Sequence, residues 1–101
     1  MEEKISIKTT KIFDKWFNTL KDIQAVAAIR LRLANIKKGN FGDFKKVKGA
    51  KGVFELRFHL SGGYRIYYVY EGNTVVILLN GGNKSTQKGD IEKAKLLKEC
   101  L

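Results

Sequence analysis

Residues 53–60 place apolar side chains at every second position, and this pattern, with the strands that follow it, constrains the fold more than any other feature of the chain. In the run VFELRFHL (53–60), one face carries Phe54, Leu56, Phe58 and Leu60. Ser61-Gly62-Gly63 supplies a turn, and residues 64–70 return as a partner strand. After a turn at 71–73, the run TVVILLN (74–80) is apolar on both faces, as expected of a central strand.

The flanking residues repeat their apolar side chains at helical spacing instead. A first helix is predicted from Thr10, and a second begins after a cap at Asp22 and ends near Gly39, with a stripe formed by Ile23, Val26, Ala27, Leu33 and Ala34. A last helix from about Asp90 places on one side Ile91, Ala94, Leu97 and Leu101. Residues 5–8 (ISIK) predict a brief strand, and residues 39–52 a loop with one short strand.

These elements give the order β-α-α-β-β-β-α in a single domain spanning 1–101. The predicted class is α+β: a short N-terminal strand and a helical hairpin pack on a small antiparallel sheet, followed by a C-terminal helix.

The charge balance bears on partners more than on fold. Twenty Lys and Arg residues against ten Asp and Glu give a net charge of +10, which favours nucleic acid, an anionic membrane or an acidic protein as partner. No apolar run approaches the ~20 residues of a membrane span, and the N-terminus lacks the apolar segment of a secretory signal. With Cys100 as its one cysteine, the chain is expected to be cytoplasmic and not membrane-bound.

The hairpin brings the polar residues of two strands onto one face. A three-residue turn at 61–63 sets Leu60 opposite Tyr64, which places Arg57 opposite Tyr67 and His59 opposite Arg65. That face then presents Glu55, Arg57, His59, Arg65 and Tyr67, with Lys84 within reach at its end. Mixed charges are also ordinary on the wet face of an antiparallel sheet, so a solvated surface is the alternative interpretation.

Other chemistries find less support. The acids are scattered rather than clustered as a metal nuclease requires, and one His with one Cys cannot build a structural zinc site, so no metal and no cofactor are expected. The segment GGNKST (81–86) lacks the spacing of a phosphate-binding loop. Two arginines beside a tyrosine and a carboxylate favour phosphate binding.

Four motifs carry a family resemblance: GAKGVFELR (49–57), GYRIYY (63–68), LLNGGNKSTQ (78–87) and DIEKA (90–94). In this order and spacing they resemble the RelE superfamily, and they are most similar to its HigB-type or phage-derived addiction module killer proteins. The resemblance covers about half of the chain. The helical pair before it also fits.

The resemblance implies the toxin of a type II toxin–antitoxin pair, an endoribonuclease that cuts mRNA in the ribosomal A site. Its implied partners are this mRNA, ribosomal RNA and a cognate antitoxin, often with a helix-turn-helix. By the family pattern, Arg65 contacts the scissile phosphate, Arg57 stabilises charge or activates the nucleophile, and Lys84 is the basic residue after the central strand. Glu55 departs from the lysine of RelE itself, and Asp90 stands near the place of its C-terminal tyrosine.

These residues suggest a metal-free cleavage in which the ribose 2′-hydroxyl attacks its own 3′-phosphate. Arg57 and Arg65 would clamp the phosphate, with Glu55 as general base and Lys84 as phosphate contact or acid. Further substrate contacts are expected from base stacking on Tyr67, from His59 as second choice of acid, and from the basic loop residues Lys48 and Lys51. The alternatives are a non-catalytic basic nucleic-acid-binding domain and a protein-interaction module without activity.

Overall fold

Side-chain caps fix where the two N-terminal helices begin. In the computed structural model, which describes residues 4–101, Thr10 Oγ1 accepts the Phe13 N–H at 3.0 Å and starts α1 (Lys11–Thr19). Asp22 accepts the Ala25 N–H at 3.1 Å and starts α2 (Ile23–Lys37). The cap predicted at Asp22 is confirmed, and Thr10 caps α1 in the same way, because in each case a side-chain oxygen satisfies an N–H of the first turn.

Five strands form one sheet in the order β1-β5-β4-β3-β2. Their bounds are β1 (Ser6–Thr9), β2 (Phe44–Lys46), β3 (Phe54–Arg57), β4 (Arg65–Glu71) and β5 (Val75–Gly82). Neighbours pair antiparallel as predicted, except that β1 lies parallel to β5. The long chain segment between β1 and β5 makes this parallel pairing possible, because parallel strands need a crossover connection.

The two faces of the sheet carry separate cores. On one face, α1 and α2 cover a cluster that includes Phe13, Ile29, Leu56, Ile66, Tyr68 and Leu78. The C-terminal helix α3 (Gln87–Glu99), which follows a 3₁₀ turn at Lys84–Thr86, covers the other face with a cluster that includes Val53, Tyr67, Val69, Leu79 and Ala94. The predicted wet face of the sheet is therefore largely buried, as the doubly apolar strand β5 requires.

Two helical stripes differ from the prediction. In α2 the buried residues are Ala25, Ile29 and Ile36, whereas Ile23, predicted to face the core, is 85% exposed. This helix is apolar on several sides, so periodicity alone did not identify its inner face. In α3, Leu101 is exposed because the helix ends at Glu99.

The β3–β4 hairpin differs from the predicted register by two residues. The Gly63 N–H donates to the Leu60 carbonyl at 2.9 Å, closing a tight turn, and the Phe58 N–H donates to the Tyr64 carbonyl at 3.0 Å. Gly62 and Gly63 adopt φ of 93° and 61°, which glycine tolerates at no steric cost. A shift of two residues keeps every side chain on its predicted face but changes its partner across the ladder.

A bulge near the end of β5 redirects its last side chains. Tyr67 pairs with Asn80 and Tyr68 with Leu78, so Leu79 is an extra residue in β5. Gly81 then faces α1 and lies directly against the Trp16 ring, leaving no room for a Cβ. Within residues 4–101, no helix has the length and apolar character to cross a membrane.

A cationic cleft at the hairpin end of the sheet

An open cleft of about 670 Å³ lies where β3 ends and β4 begins. It is bounded by the hairpin turn on one side and by the segment following β5 on the other. Basic side chains dominate its polar lining: Arg57, His59, Arg65 and Lys84. The structure thus brings together four of the eight predicted site residues.

Arg57 and Arg65 stand directly opposite each other on the antiparallel ladder. Side chains at such positions are close neighbours, and like charges there repel. Each arginine has its own carboxylate: Arg57 Nη2 donates to Asp43 Oδ1 at 3.0 Å, and Arg65 Nε donates to Glu55 Oε2 at 3.2 Å. The two carboxylates allow two guanidinium groups to face the same cleft.

Glu55 lies behind Arg65 rather than in the cleft. Its side chain is 1% exposed, whereas that of Arg65 is 17% exposed. Arg65 Nη1 also donates to the Gly63 carbonyl at 2.9 Å, so the guanidinium is held at two points. A group this deeply buried does not reach a substrate in the cleft, which argues against the predicted role of Glu55 as general base.

Asp43 holds the other side of the cleft. It precedes β2, and its carboxylate hydrogen-bonds to both Arg57 and His59. The Arg57 hydrogen bond, followed by that of His59, holds the pKa of the Asp43 carboxyl below its usual range, so this group is ionised at neutral pH.

A half-buried arginine of α2, Arg32, fixes the segment that carries Asp43. Arg32 Nη1 donates to the carbonyls of Phe41 and Asp43 at 3.3 and 3.2 Å, and Nη2 donates to the Arg57 carbonyl at 2.9 Å. Its guanidinium also lies 4.4 Å from the Phe58 ring centroid. Burial lowers the pKa of Arg32, against the opposing effect of Asp43, but an arginine stays protonated in a protein.

Lys84 approaches the cleft from the segment that follows β5, the neighbour of β4. Its N–H donates to the Gly62 carbonyl at 3.0 Å, which ties the segment after β5 to the hairpin turn. Asn83 caps the following 3₁₀ turn by accepting the N–H groups of Ser85 and Thr86. Lys84 is therefore anchored by its backbone while its exposed side chain lines the cleft.

Three predicted substrate contacts lie outside the cleft. The prediction that Tyr67 is exposed for base stacking is wrong, because α3 covers it and its exposed fraction is 0%. Burial, together with Glu55 and Asp90, raises the pKa of its hydroxyl. Lys48 and Lys51 are exposed in the loop that faces the C-terminal end of α3, where Lys98 Nζ donates to the Lys51 carbonyl.

Sequence reasoning missed Asp43. One signal was available, since Asp43 is the single acidic residue between Asp22 and Glu55, in an otherwise basic segment. Its place next to Arg57 depends on the pairing of β2 with β3, which local patterns do not reveal. Among residues 4–101, no three His, Cys, Asp or Glu side chains gather in a way that would hold a metal ion.

Known structures share this architecture. A chain of the RelB–RelE antitoxin–toxin complex from Methanococcus jannaschii superposes with a TM-score of 0.66 at 18% identity, covering 82% of this chain and 96% of that chain. A mutant of the Escherichia coli toxin RelE in the free state gives a TM-score of 0.67 at 16% identity, with both chains fully covered. The fold is therefore RelE-like, which confirms the predicted architecture.

Sequence comparison identifies the family. Residues 14–99 match the family of phage-derived Gp49-like proteins. A Haemophilus influenzae strain Rd protein, described as uncharacterized, is 48% identical over 97 residues, which cover 96% of each chain. The chain belongs to the Gp49-like family.

Proposed function

We propose that this protein is the toxin of a type II toxin–antitoxin pair and a metal-independent endoribonuclease that cuts mRNA in the ribosomal A site. The observation that carries the proposal is the cleft in which Arg57 and Arg65 face each other, each oriented by its own carboxylate. Paired guanidinium groups with fixed orientation suit a phosphodiester, since each presents several N–H donors to anionic oxygens. The RelE-like fold supports the same assignment.

In the proposed reaction the scissile phosphate lies between Arg57 and Arg65. The ribose 2′-hydroxyl attacks this phosphate, and negative charge grows on its non-bridging oxygens. Donors already in place stabilise that charge without reorganisation. Lys84, across the cleft, contacts the phosphate or protonates the departing 5′-oxygen.

Glu55 takes a different part from the one first expected. Because it is buried beneath Arg65, it acts through that residue by holding the guanidinium toward the cleft. Removing the carboxylate would leave Arg65 without its counter-charge and with a less fixed orientation. Glu55 is thus a positioning residue in this proposal.

The proposed partners follow from charge and from the relatives. The RelE chains that share this fold include members of RelB–RelE antitoxin–toxin complexes, so a cognate antitoxin is proposed here, of the kind that often carries a helix-turn-helix. The net charge of +10 suits docking to ribosomal RNA. Lys48 and Lys51, which lie outside the cleft, are proposed as contacts of that docking surface. A cytoplasmic location is proposed as well, because these partners are cytoplasmic.

The test is mRNA cleavage by the purified protein, mapped with and without translating ribosomes. Arg65→Ala is expected to lose about 2–4 kcal/mol of transition-state stabilisation, a fall in rate of roughly 30- to 900-fold. Arg30→Ala is the matched control, because Arg30 lies on α2 over Phe17, on the other face of the sheet. Its rate should equal that of the wild type.

Cuts within the A-site codon that require ribosomes and disappear in Arg65→Ala support the proposal. Tight RNA binding without cuts under either condition would instead assign the cleft to a non-catalytic nucleic-acid-binding domain. Expression of the wild type should also arrest growth, and co-expression of the neighbouring gene should relieve the arrest. A harmless protein that binds an acidic partner but no RNA would indicate an interaction module.

A further inference from the structure

The proposed cleavage requires a group that accepts a proton from the 2′-hydroxyl near neutral pH, and the lining of the cleft contains one. Arginine stays protonated, and the Tyr64 hydroxyl, which donates to Asp22 at 3.3 Å, has a pKa raised by burial. Glu55 and Tyr67 are buried outside the cleft. His59, in contrast, lines the cleft with 76% of its side chain exposed, and imidazole is the side chain suited to proton transfer at this pH.

Asp43 orients this exposed imidazole. Its Oδ2 contacts His59 Nε2 while its Oδ1 accepts from Arg57 at 3.0 Å. The Asp43 backbone is fixed in turn, since its carbonyl accepts the Arg57 N–H at 3.0 Å and an Arg32 N–H at 3.2 Å. One rigidly held carboxylate therefore sets the positions of two cleft side chains.

We propose that Asp43 and His59 form the proton-transfer pair of the cleft, with His59 as the catalytic base and Asp43 as its positioning residue; the inference rests on the proposed endoribonuclease function. An ionised carboxylate only accepts hydrogen bonds, so Nε2 donates to Asp43 and Nδ1 carries the lone pair. The carboxylate also stabilises the imidazolium that forms when Nδ1 accepts a proton, as in other Asp–His pairs.

The step balances without a co-reactant. The 2′-hydroxyl proton passes to His59 Nδ1 as the 2′-oxygen forms its bond to phosphorus. The bond from phosphorus to the 5′-oxygen breaks, and that oxygen takes a proton from the Lys84 ammonium. The products are a 2′,3′-cyclic phosphate and a 5′-hydroxyl. His59 then returns its proton to water, and Lys84 regains one from water.

Single-turnover cleavage on translating ribosomes, measured from pH 5 to 9, tests the pair. His59→Ala should lower the rate roughly 10²- to 10⁴-fold, the usual contribution of general acid–base catalysis. Added imidazole should restore part of the rate in His59→Ala but none in Arg65→Ala, because the exposed site leaves room for it. Charged groups around His59 that shape the profile are Arg32 from α2, Asp43, Arg57, Arg65 and Lys84.

Asp43→Asn should lower kcat roughly 10- to 100-fold while changing KM by no more than a few-fold, since general-base catalysis is weakened and not abolished. Glu71→Gln is the matched control: it also removes a carboxylate from an ion pair, with Lys8 at 2.9 Å, but at the far end of β4. It should leave the rate and the profile unchanged.

A readout independent of cleavage is available because the chain has a single histidine. In tag-free protein labelled with ¹⁵N, the imidazole signals should report Nε2–H as the neutral tautomer and a mixture in Asp43→Asn. The inference is overturned if His59→Ala cuts at the wild-type rate, if imidazole fails to restore cleavage, or if the tautomer is the same in both proteins. A wild-type protein that cuts no RNA would overturn the proposed function and this inference with it.

Discussion

Two arginines on opposed positions of a hairpin cost free energy unless each charge is compensated. Asp43 and Glu55 compensate Arg57 and Arg65 from opposite sides, one near the surface and one buried. Both carboxylates hold their arginine by a hydrogen bond as well as by charge. Arg57 and Arg65 line the cleft, and each is thus oriented by a carboxylate that lies outside the lining.

The pH dependence of stability should report the Asp43 pairing. The Arg57 hydrogen bond lowers the folded-state pKa of Asp43, so its contribution is present above the unfolded-state pKa of about 3.9 and is lost as the pH falls through the folded-state value. The free energies of unfolding of the wild type and of Asp43→Asn, measured in urea, should therefore differ at pH 7. The difference should shrink as the pH falls below about 4. A gap that stays constant between pH 7 and pH 3 would contradict this pairing.

Substituting Tyr67 separates a core role from a substrate role. The Tyr67 hydroxyl is buried and has no hydrogen-bond partner among residues 4–101, so Tyr67→Phe should change the free energy of unfolding by less than about 1 kcal/mol. Tyr67→Ala should cost about 3–5 kcal/mol through the cavity that it leaves. Neither the rate nor the cleavage pattern should change in Tyr67→Phe, whereas a Tyr67 that transfers a proton would make Tyr67→Phe lose activity.

At the scale of elements, the end of β5 organises both faces of the sheet. The bulge at Leu79 turns Gly81 toward α1 and Gly82 toward α3, and Asn80 Nδ2 donates to the Asp90 carbonyl at 3.0 Å. Helices on both faces therefore pack directly against the strand whose continuation carries Lys84. Disturbing this packing should affect the cleft as well as stability.

Two glycine substitutions test this packing. A Cβ on Gly81 would lie 2.4 Å from the Trp16 ring, so Gly81→Ala should destabilise the fold by about 1–3 kcal/mol through overpacking. Gly89→Ala is the matched control, because Gly89 lies in α3 with nothing within 4 Å of its Cβ position. It should stabilise by about 0.5–1 kcal/mol, since alanine favours helix. Thermal unfolding of both variants is the measurement. A Gly81→Ala variant as stable as the wild type would show that the Trp16 ring can shift to make room for the Cβ.

At the scale of the whole molecule, the positive charge far exceeds what the ion pairs neutralise. With a net charge of +10, the surface supplies a field that attracts polyanions, while the cleft provides oriented donors at one place. In the proposed function, docking and chemistry depend on different sets of cations. The contributions of these cations to RNA affinity should be distinguishable by measuring how that affinity depends on salt concentration.

RNA affinity is expected to fall linearly on a log–log plot against salt, with a slope of about −0.7 per phosphate contact on single strands. Lys84→Gln should reduce the magnitude of that slope by about one contact. Lys8→Gln should leave it unchanged, because Lys8 lies on the edge strand β1 and is paired with Glu71 of β4. Equal slopes for wild type and Lys84→Gln would remove Lys84 from the RNA-binding surface.

Local patterns in the sequence determined the elements and their faces. Asp22 capped α2 as predicted, and the period of two assigned each residue of β3 and β4 to its side of the sheet. The physical reason is that capping, turn chemistry and alternation act between residues close in sequence. Arg57, Arg65 and Lys84 were brought to one place by the same patterns.

Tertiary structure alone decided register, burial and the partners of the charges. A slip of two residues preserves the alternation, so no pattern distinguished Arg57 opposite Tyr67 from Arg57 opposite Arg65. The packing of α3 buried Tyr67, Glu55 came to lie buried beside Arg65, and the pairing of β2 with β3 brought Asp43 to the cleft. These contacts join residues far apart in the chain, and their free energy depends on how the layers pack rather than on neighbours in sequence.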